Sequence, residues 1–301
     1  MGAENEIDNK NKNENNENVK PYKRETLKRI PTSKNIIINF KETNILSIVF
    51  GDDKIKEFFT PNLEFLYFSF YCCESVKDSG WGCAWRSMQS LLKYQLSVSN
   101  QNKDHDISFY NLFMKYGDKN TLLEIYKKMK NDENSLNILK KKTFAPHETE
   151  SGWAEPFISQ LVLFSFGFEG ELILINGYSE HNYAPKVVFN NKILNFNEFK
   201  MMLINHFIEK NNPGPIIIDD SYSSLSIIGI KINNEKNEAS SNLELLIMDP
   251  HTIDHPEFGL YIVILNNKGR QVGVLPNQSL CSKSVDFSVK PWMAYIPNEI
   301  K

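Results

Sequence analysis

The stretch that decides the fold of this chain is Asp78-Ser79-Gly80-Trp81-Gly82-Cys83-Ala84-Trp85-Arg86-Ser87-Met88-Gln89. It places one cysteine between a glycine-rich turn and an amphipathic helix, whose apolar residues recur at Trp85, Met88, Leu91, Leu92 and Leu96. Gly80 and Gly82 allow a sharp turn and a close approach of a ligand to the backbone. Cys83 then lies at the helix N-terminus, where unpaired N–H groups and the positive end of the dipole favour a thiolate. Cys83 is therefore a candidate nucleophile, although a buried structural cysteine fits the same local pattern.

A second segment offers the partners that a thiolate nucleophile needs, an imidazole and a group that orients it. An apolar run over residues 243–248 predicts a buried strand, and Asp249-Pro250-His251 follows it directly. In an extended chain the side chains of Asp249 and His251 leave the same face, and Pro250 fixes φ between them. Alone, this triplet is also typical of an ordinary strand end.

Taken together, the two segments resemble the ubiquitin-fold-modifier-specific cysteine proteases. In that family the cysteine precedes Asp-Pro-His, and a tyrosine twelve residues before the cysteine helps to form the oxyanion hole; that position is Tyr71 here. The resemblance runs in one consistent order from about residue 65 to about residue 255. It includes Gly117-Asp118-Lys119, Trp153 to Leu163, and the apolar runs Gly214 to Ile218 and Ile227 to Ile230.

The resemblance implies a thiol protease that cleaves after the C-terminal glycine of a ubiquitin-fold modifier, in precursor maturation, deconjugation or both. The site residues that we predict are the catalytic Cys83, His251, Asp249 and Tyr71 and the substrate-binding Trp81 and Trp153. The two tryptophans are large enough to line a narrow cleft that binds a glycine-ended tail. Packing in the core is the alternative interpretation of both residues. The reaction requires no metal or organic cofactor. The modifier is the implied partner, and the implied location is the cytoplasm, with recruitment to the surface of the endoplasmic reticulum left open.

Composition excludes several other classes of protein. The 301 residues, 41% of them hydrophobic, are enough for a sizeable core in one large domain or two small ones. A net charge of −3 gives no electrostatic basis for binding nucleic acid or an anionic membrane. No apolar run approaches the ~18 residues of a membrane span. The absence of a signal peptide, of a CxxC pair and of a disulfide ladder fits a reducing compartment. The cysteines are Cys72, Cys73, Cys83 and Cys281.

We predict an α+β chain in which the cysteine helix packs on a mostly antiparallel sheet. The resemblance implies that this is a papain-like cysteine protease fold. Residues 1–32, rich in Asn and Lys, predict a disordered tail. Residues 33–301 predict a single protease domain with a surface insertion at about 120–150. Strands are predicted over 35–40, 45–50, 63–71, 171–175, 186–189, 215–218, 225–230, 243–248, 261–265 and 292–296, and further helices from 109, over 153–166 and over 196–208.

Other groups of reactive side chains are weaker candidates. A metal cluster of Asp249, His251, Asp254 and His255 is conceivable, but no further Cys or His lies at a metal-type spacing from it. Cys72 and Cys73 are expected in the core or in a loop near the tyrosine. The remaining histidines are expected at the surface or with polar partners, and they are His105, His147, His181 and His206.

The sequence departs from the family in ways that concern the substrate more than the chemistry. Asp219-Asp220-Ser221 stands where the family usually has three glycines, and the family's tryptophan-rich segment after Asp-Pro-His is not recognisable. Two other functions therefore stay open. The autophagy cysteine proteases also pair a Gly-Trp-Gly-Cys segment with Asp-Pro-His. A non-catalytic pseudoprotease would keep the fold in order to bind a modifier.

Overall fold

The computed structural model describes residues 37–101, 105–149, 152–175, 192–220, 222–233, 242–253, 255–276, 285–288 and 290–300. The α-helices are α1 (Phe40–Thr43), α2 (Ile45–Phe50), α3 (Asp52–Ile55), α4 (Cys83–Val98), α5 (Phe109–Tyr116), α6 (Lys119–Lys130), α7 (Glu133–Lys141), α8 (Pro156–Ser165) and α9 (Phe196–Ile204). The strands are β1 (Ile38–Asn39), β2 (Tyr67–Phe68), β3 (Gly170–Ile175), β4 (Lys192–Leu194), β5 (Ile216–Asp219), β6 (Ser224–Asn233), β7 (Asn242–Met248), β8 (Leu260–Leu265), β9 (Gln271–Leu275) and β10 (Trp292–Pro297). The predicted tail over 1–32 and the predicted strand over 186–189 lie outside the described residues.

Eight strands form one sheet in the order β4-β3-β10-β5-β6-β7-β8-β9, while β1 and β2 pair separately. The pairing of β3 with β4 is parallel, and the other pairings within the described part of this sheet are antiparallel. Because α4 contacts β5 and β6, the cysteine helix lies on the sheet. The predicted α+β fold class is therefore confirmed. The same contact supports the proposal that residues 33–301 form one domain.

The sheet is covered on both faces, which explains why its central strands read as continuous apolar runs. On one face Ile217, Met293 and Tyr295 pack against the apolar sides of α4, α5 and α8. On the opposite face the apolar residues of α9 pack against Ile216 and Ile218. A third cluster joins the N-terminal helices to β6, β7 and β8. Burial on both faces fixes the strand register, and with it the position of the residues that follow β7.

The N-terminal region corrects two strand predictions. Residues 45–50 form α2 rather than a strand, because Asn39 caps α1 through its side chain and Asn44, at a φ of +49°, ends α1 and directly precedes α2. Within 63–71 the strand is confined to β2, because the Asn62 side chain accepts from the N–H of Glu64 at 3.0 Å and begins a short 3-10 turn. Tertiary contacts and local caps thus override the β preference of the β-branched residues here.

The predicted insertion at about 120–150 contains α6, α7 and a following turn. Asp118 caps α6 by accepting from the N–H of Thr121 at 3.0 Å, and the apolar residues Leu122, Leu136 and Leu139 are buried in the helical core. The opposite faces of both helices carry exposed lysines and asparagines. That this stretch is an insertion relative to the family stays a prediction.

Candidate active site

Cys83 is the first residue of α4, and its side chain is fully buried. The helix begins there because Gly80, at a φ of +91°, turns the chain, and because Gly82 lies tightly against Asp78. A Cβ at Gly82 would clash with the Asp78 carboxylate, so a larger residue does not fit without a rearrangement. Gly82 brings no capping side chain. The positive end of the α4 dipole therefore lies beside Cys83.

Asp249 and His251 form a hydrogen-bonded pair at the end of β7. The N–H of Asp249 donates to Gly259 at 2.7 Å, which continues the β7–β8 ladder by one residue and leaves the Asp249 side chain fully buried. One carboxylate oxygen accepts from the N–H of His251 at 2.9 Å and also contacts Nδ1 of its ring. The other oxygen accepts from the Tyr261 hydroxyl at 3.3 Å. This arrangement holds Nδ1 of the imidazole toward the carboxylate and directs Nε2 to the opposite side.

Tyr71 joins the cysteine to the histidine. A hydrogen bond connects its hydroxyl with the Cys83 thiol, and its ring meets the His251 ring edge-on, with the centroids 5.1 Å apart. The N–H of Tyr71 donates to Pro250 at 2.9 Å, which ties the tyrosine to the Asp-Pro-His segment. Burial raises the pKa of the Tyr71 phenol, and charge on the neighbouring Cys83 raises it further. The phenol therefore stays protonated and able to donate a hydrogen bond.

The contacts run from Cys83 through Tyr71 to His251 and Asp249, so the structure brings together the four residues that we predicted as catalytic. Sequence reasoning missed Tyr261, which orients the carboxylate from β8, and the buried ion pair between Asp78 and Arg86. The signal for the ion pair was present in the sequence. Arg86 lies one helical turn after the cysteine, where a charged residue needs a partner.

The two tryptophans predicted to bind substrate lie in different surroundings. Trp81 is 7% exposed and meets the rings of Phe109 and Phe113 edge-on, with centroids 5.5 and 5.0 Å away. Trp153 is partly exposed and follows Gly152, whose carbonyl accepts from the Trp85 indole N–H at 3.1 Å. That bond anchors the Trp153 segment to the first turn of α4. The substrate-binding roles stay predictions for both residues.

The other reactive side chains lie apart from this site or have structural partners. Burial raises the pKa of the Cys73 thiol to about 12, which keeps it protonated and unreactive. His206 is buried, with Nε2 at 2.7 Å from the Gly214 carbonyl, whereas His105 is exposed and His147 is half-buried against Phe113. His181 and Asp254 lie outside the described residues. Within the described part of the chain, no three Cys, His, Asp or Glu side chains form a group suited to a metal ion.

A cysteine at a helix N-terminus and a His–Asp pair, both in contact with Tyr71, are the groups that thiol hydrolases use. Comparison with known proteins agrees and is more specific, since residues 62–141 match the model of peptidase family C78. Over these residues the chain is similar to family C78, a family of cysteine proteases, which confirms the predicted resemblance and the predicted enzyme class.

A solved structure, the crystal structure of UfSP from C. elegans, is similar at a TM-score of 0.47 and 18% sequence identity. The match covers 81% of this chain and 34% of that chain, so the chain spans about a third of the length of that protein. No curated protein matches the chain. Among the described helices, none is long and apolar enough to cross a membrane.

Proposed function

We propose that this protein is a thiol protease that cleaves after the C-terminal glycine of a ubiquitin-fold modifier, with Cys83 as nucleophile, His251 as acid and base, and Asp249 as the group that orients the imidazole. Tyr71 donates a hydrogen bond to the oxyanion. The observation that carries this proposal is the position of Tyr71, which contacts both Cys83 and His251. Asp249 binds His251 through Nδ1 of its ring. The match of residues 62–141 to peptidase family C78 supports the proposed class of protease.

The first half of the reaction forms a thioester. The thiol proton of Cys83 passes to Nε2 of His251, and the sulfur attacks the carbonyl carbon of the terminal glycine. The negative charge that develops on the carbonyl oxygen is stabilised by the Tyr71 hydroxyl and by the N–H of Cys83 at the start of α4. His251 then gives its proton to the leaving amine as the C–N bond breaks.

The second half of the reaction restores the enzyme. His251 takes a proton from water, which attacks the thioester carbonyl, and the C–S bond breaks with return of the proton to sulfur. The products are an amine and a modifier that ends in a free glycine carboxylate. Throughout the cycle the Asp249 carboxylate orients and stabilises the protonated imidazole. We propose that no metal or organic cofactor takes part.

The hairpin between β5 and β6 is the feature of this chain that bears on modifier identity. Ser226 pairs with Met248, so the hairpin tip emerges at the same end of the sheet as Asp249. Its backbone is held by Asp220, which accepts from the N–H groups of Tyr222 and Ser223 at 3.0 and 2.7 Å. Tyr222 itself is 80% exposed. We propose that this tip tunes which modifier the cleft accepts, while the chemistry is unchanged.

Covalent capture by glycine-ended activity probes tests the proposal. We expect the probe built on the ubiquitin-fold modifier to label the wild-type protein and to leave the Cys83→Ala variant unlabelled. Cys281→Ala is the control, since it removes another of the four thiols of the chain, and its labelling should equal that of the wild type. Labelling that survives Cys83→Ala would exclude Cys83 as the nucleophile.

The same probes separate the two alternatives. Labelling only by the autophagy-modifier probe would assign the protein to that substrate instead. Binding of the ubiquitin-fold modifier without any covalent capture, by a protein that is folded, would indicate a pseudoprotease.

A further inference from the structure

The segment that carries Tyr71 has a strained backbone. Immediately after Tyr71, Cys72, Glu74 and Ser75 adopt φ values of +61°, +60° and +58°, in the left-handed region that side-chain-bearing residues rarely occupy. Such conformations persist only where the surrounding structure fixes them. The position of the Tyr71 hydroxyl therefore depends on whatever holds residues 72–78.

A buried polar network centred on Arg86 holds this segment. The Arg86 side chain is fully buried, and its Nε donates to Asp78 at 2.7 Å. Its two other nitrogens donate to the Cys73 carbonyl at 2.7 Å and to the Glu74 carboxylate at 3.0 Å. The guanidinium face lies 4.1 Å from the centre of the Phe109 ring. One side chain of α4 thus contacts three residues of the strained segment.

Asp78 links Arg86 to Cys72, the residue next to Tyr71. While one of its carboxylate oxygens contacts Arg86, the other accepts from the N–H of Cys72 at 2.7 Å. The preceding N–H, that of Tyr71, donates to Pro250 at 2.9 Å. The N–H groups of Tyr71 and Cys72 are therefore both fixed. That of Cys72 is linked through Asp78 to Arg86 on α4, and that of Tyr71 is bonded to the Asp-Pro-His segment.

Glu74 extends the network to the neighbouring helix. Its carboxylate accepts from the Gln89 side chain at 2.7 Å and from the N–H of Phe109, the first residue of α5, at 3.0 Å. The fork of the guanidinium reaches several acceptors at once, which a lysine ammonium on a flexible stem does not reproduce.

We propose that Arg86 is a positioning residue for the reaction, which acts by fixing the backbone of residues 72–78 so that the Tyr71 hydroxyl points to the reacting carbonyl beside Cys83. This inference rests on the proposed function for its catalytic meaning. Arg86 does not touch the reacting atoms, so its effect on the rate passes through Tyr71. That dependence separates a positioning role from a general role in stability.

A double-mutant cycle between Arg86→Lys and Tyr71→Phe tests the inference on the full chain. In the Tyr71 background we expect Arg86→Lys to lower kcat for a glycine-ended modifier substrate roughly tenfold with little change in KM. In the Tyr71→Phe background the same change should lower kcat by no more than about twofold, because the hydroxyl that it positions is already absent. Equal losses of kcat in both backgrounds would overturn the inference.

A control and a substitute variant keep the outcome decisive. The control is Lys231→Gln, which removes the ion pair between Lys231 on β6 and Glu57, whose charged atoms are 2.7 Å apart. This variant should leave kcat within about twofold of the wild type. If Arg86→Lys does not fold, Glu74→Gln replaces it in the cycle, since the Glu74 side chain is 21% exposed. It should give a smaller loss with the same dependence on Tyr71, and a loss independent of Tyr71 would overturn the inference.

A readout without modifier separates failure of the inference from failure of the proposed function. The rate of Cys83 alkylation by iodoacetamide reports the surroundings of the thiol whatever the substrate is. We expect Arg86→Lys to change this rate about threefold or more in the Tyr71 background and less than about twofold with Phe at position 71. If no modifier is cleaved but this pattern holds, the positioning role stands and the proposed substrate is wrong. If the alkylation rate changes equally in both backgrounds, the positioning role is wrong.

Discussion

The two halves of the candidate site are built in different ways. His251 and Asp249 extend from β7, inside a regular sheet whose register is fixed by apolar residues on both faces. Tyr71 and Cys83 flank an irregular segment that contains left-handed residues and is held by buried charges. We call His251 and Asp249 the sheet half of the site, and Tyr71 and Cys83 the loop half. The sheet half is positioned by many small apolar contacts, and the loop half by a few strong polar contacts.

This difference predicts how each half responds to change. Loss of one apolar contact in a sheet is shared among many neighbours, whereas loss of one member of a buried ionic network leaves its partners unpaired. We expect single substitutions in the loop half to alter the geometry of the site. Substitutions of the sheet half that keep its shape should alter proton transfer or stability instead.

The largest effect is expected for the carboxylate of the sheet half. Asp249→Asn keeps the shape of the side chain but presents an amide where the imidazole N–H donates, so the ring is held in the wrong tautomer. We expect kcat to fall by about 10⁴-fold, as measured by single-turnover cleavage of a modifier fusion, while the circular dichroism spectrum is unchanged. A loss of less than about tenfold would show that Asp249 does not orient His251 for proton transfer.

A slightly smaller effect is expected for the hydroxyl of the loop half. Tyr71→Phe keeps the ring that packs on His251 but removes the donor to the oxyanion, so kcat should fall by about 10²–10³-fold with KM nearly unchanged. The matched control is Tyr295→Phe on β10, whose buried hydroxyl has no hydrogen-bond partner among the described residues. That variant should retain wild-type kcat. Equal kcat values for the two variants would remove Tyr71 from the oxyanion site.

The stability of the whole protein should depend on pH through His206, which follows α9. Burial lowers the pKa of His206 to about 3, below the value of about 6.5 expected in the unfolded chain. Because the unfolded chain binds a proton between these values and the native protein does not, stability is lost as the pH falls below about 6.5. We expect urea denaturation to show about 2 kcal/mol less stability from this group at pH 5 than at pH 7. His206→Gln should flatten this dependence, and an unchanged slope would contradict the assignment.

The smallest effect is expected for Tyr261, which donates a hydrogen bond to Asp249 of the Asp249–His251 pair. Tyr261→Phe removes one long hydrogen bond to Asp249 and leaves the bonds from His251 in place. Since a single hydrogen bond contributes about 1 kcal/mol, kcat should fall about threefold to tenfold in steady-state assays, and the melting temperature should change little. An unchanged kcat would show that the His251 contacts alone orient the carboxylate.

The same contrast explains what the sequence could predict. The strands β5 to β8 lie within three residues of their predicted bounds, and α4 contains the apolar residues whose spacing predicts a helix, because continuous apolar runs and a helical period reflect burial directly. Asp249 and His251 follow from β7 by simple alternation. For Cys83 and Tyr71, the family resemblance was needed to connect residues that local patterns leave unrelated.

The irregular parts could not be read from the sequence in this way. Left-handed residues at Cys72, Glu74 and Ser75 carry no glycine signature, and their conformation depends on Arg86, a partner in a later element. The error at α2 has a similar origin, because its β-branched residues favour a strand while the neighbouring asparagine cap and the packing of Ile45 and Leu46 favour a helix. Both features depend on contacts between segments, which a single sequence does not display.

The most direct test of the central claim, that the two halves converge on one carbonyl, is a crystal structure of the covalent complex with the glycine-ended ubiquitin-fold-modifier probe. We predict a bond from the probe to Sγ of Cys83, with the Tyr71 hydroxyl on one side of the terminal glycine and the His251 ring on the other. A probe bound to a different cysteine, or a complex in which Tyr71 and His251 lie away from the glycine, would contradict the account.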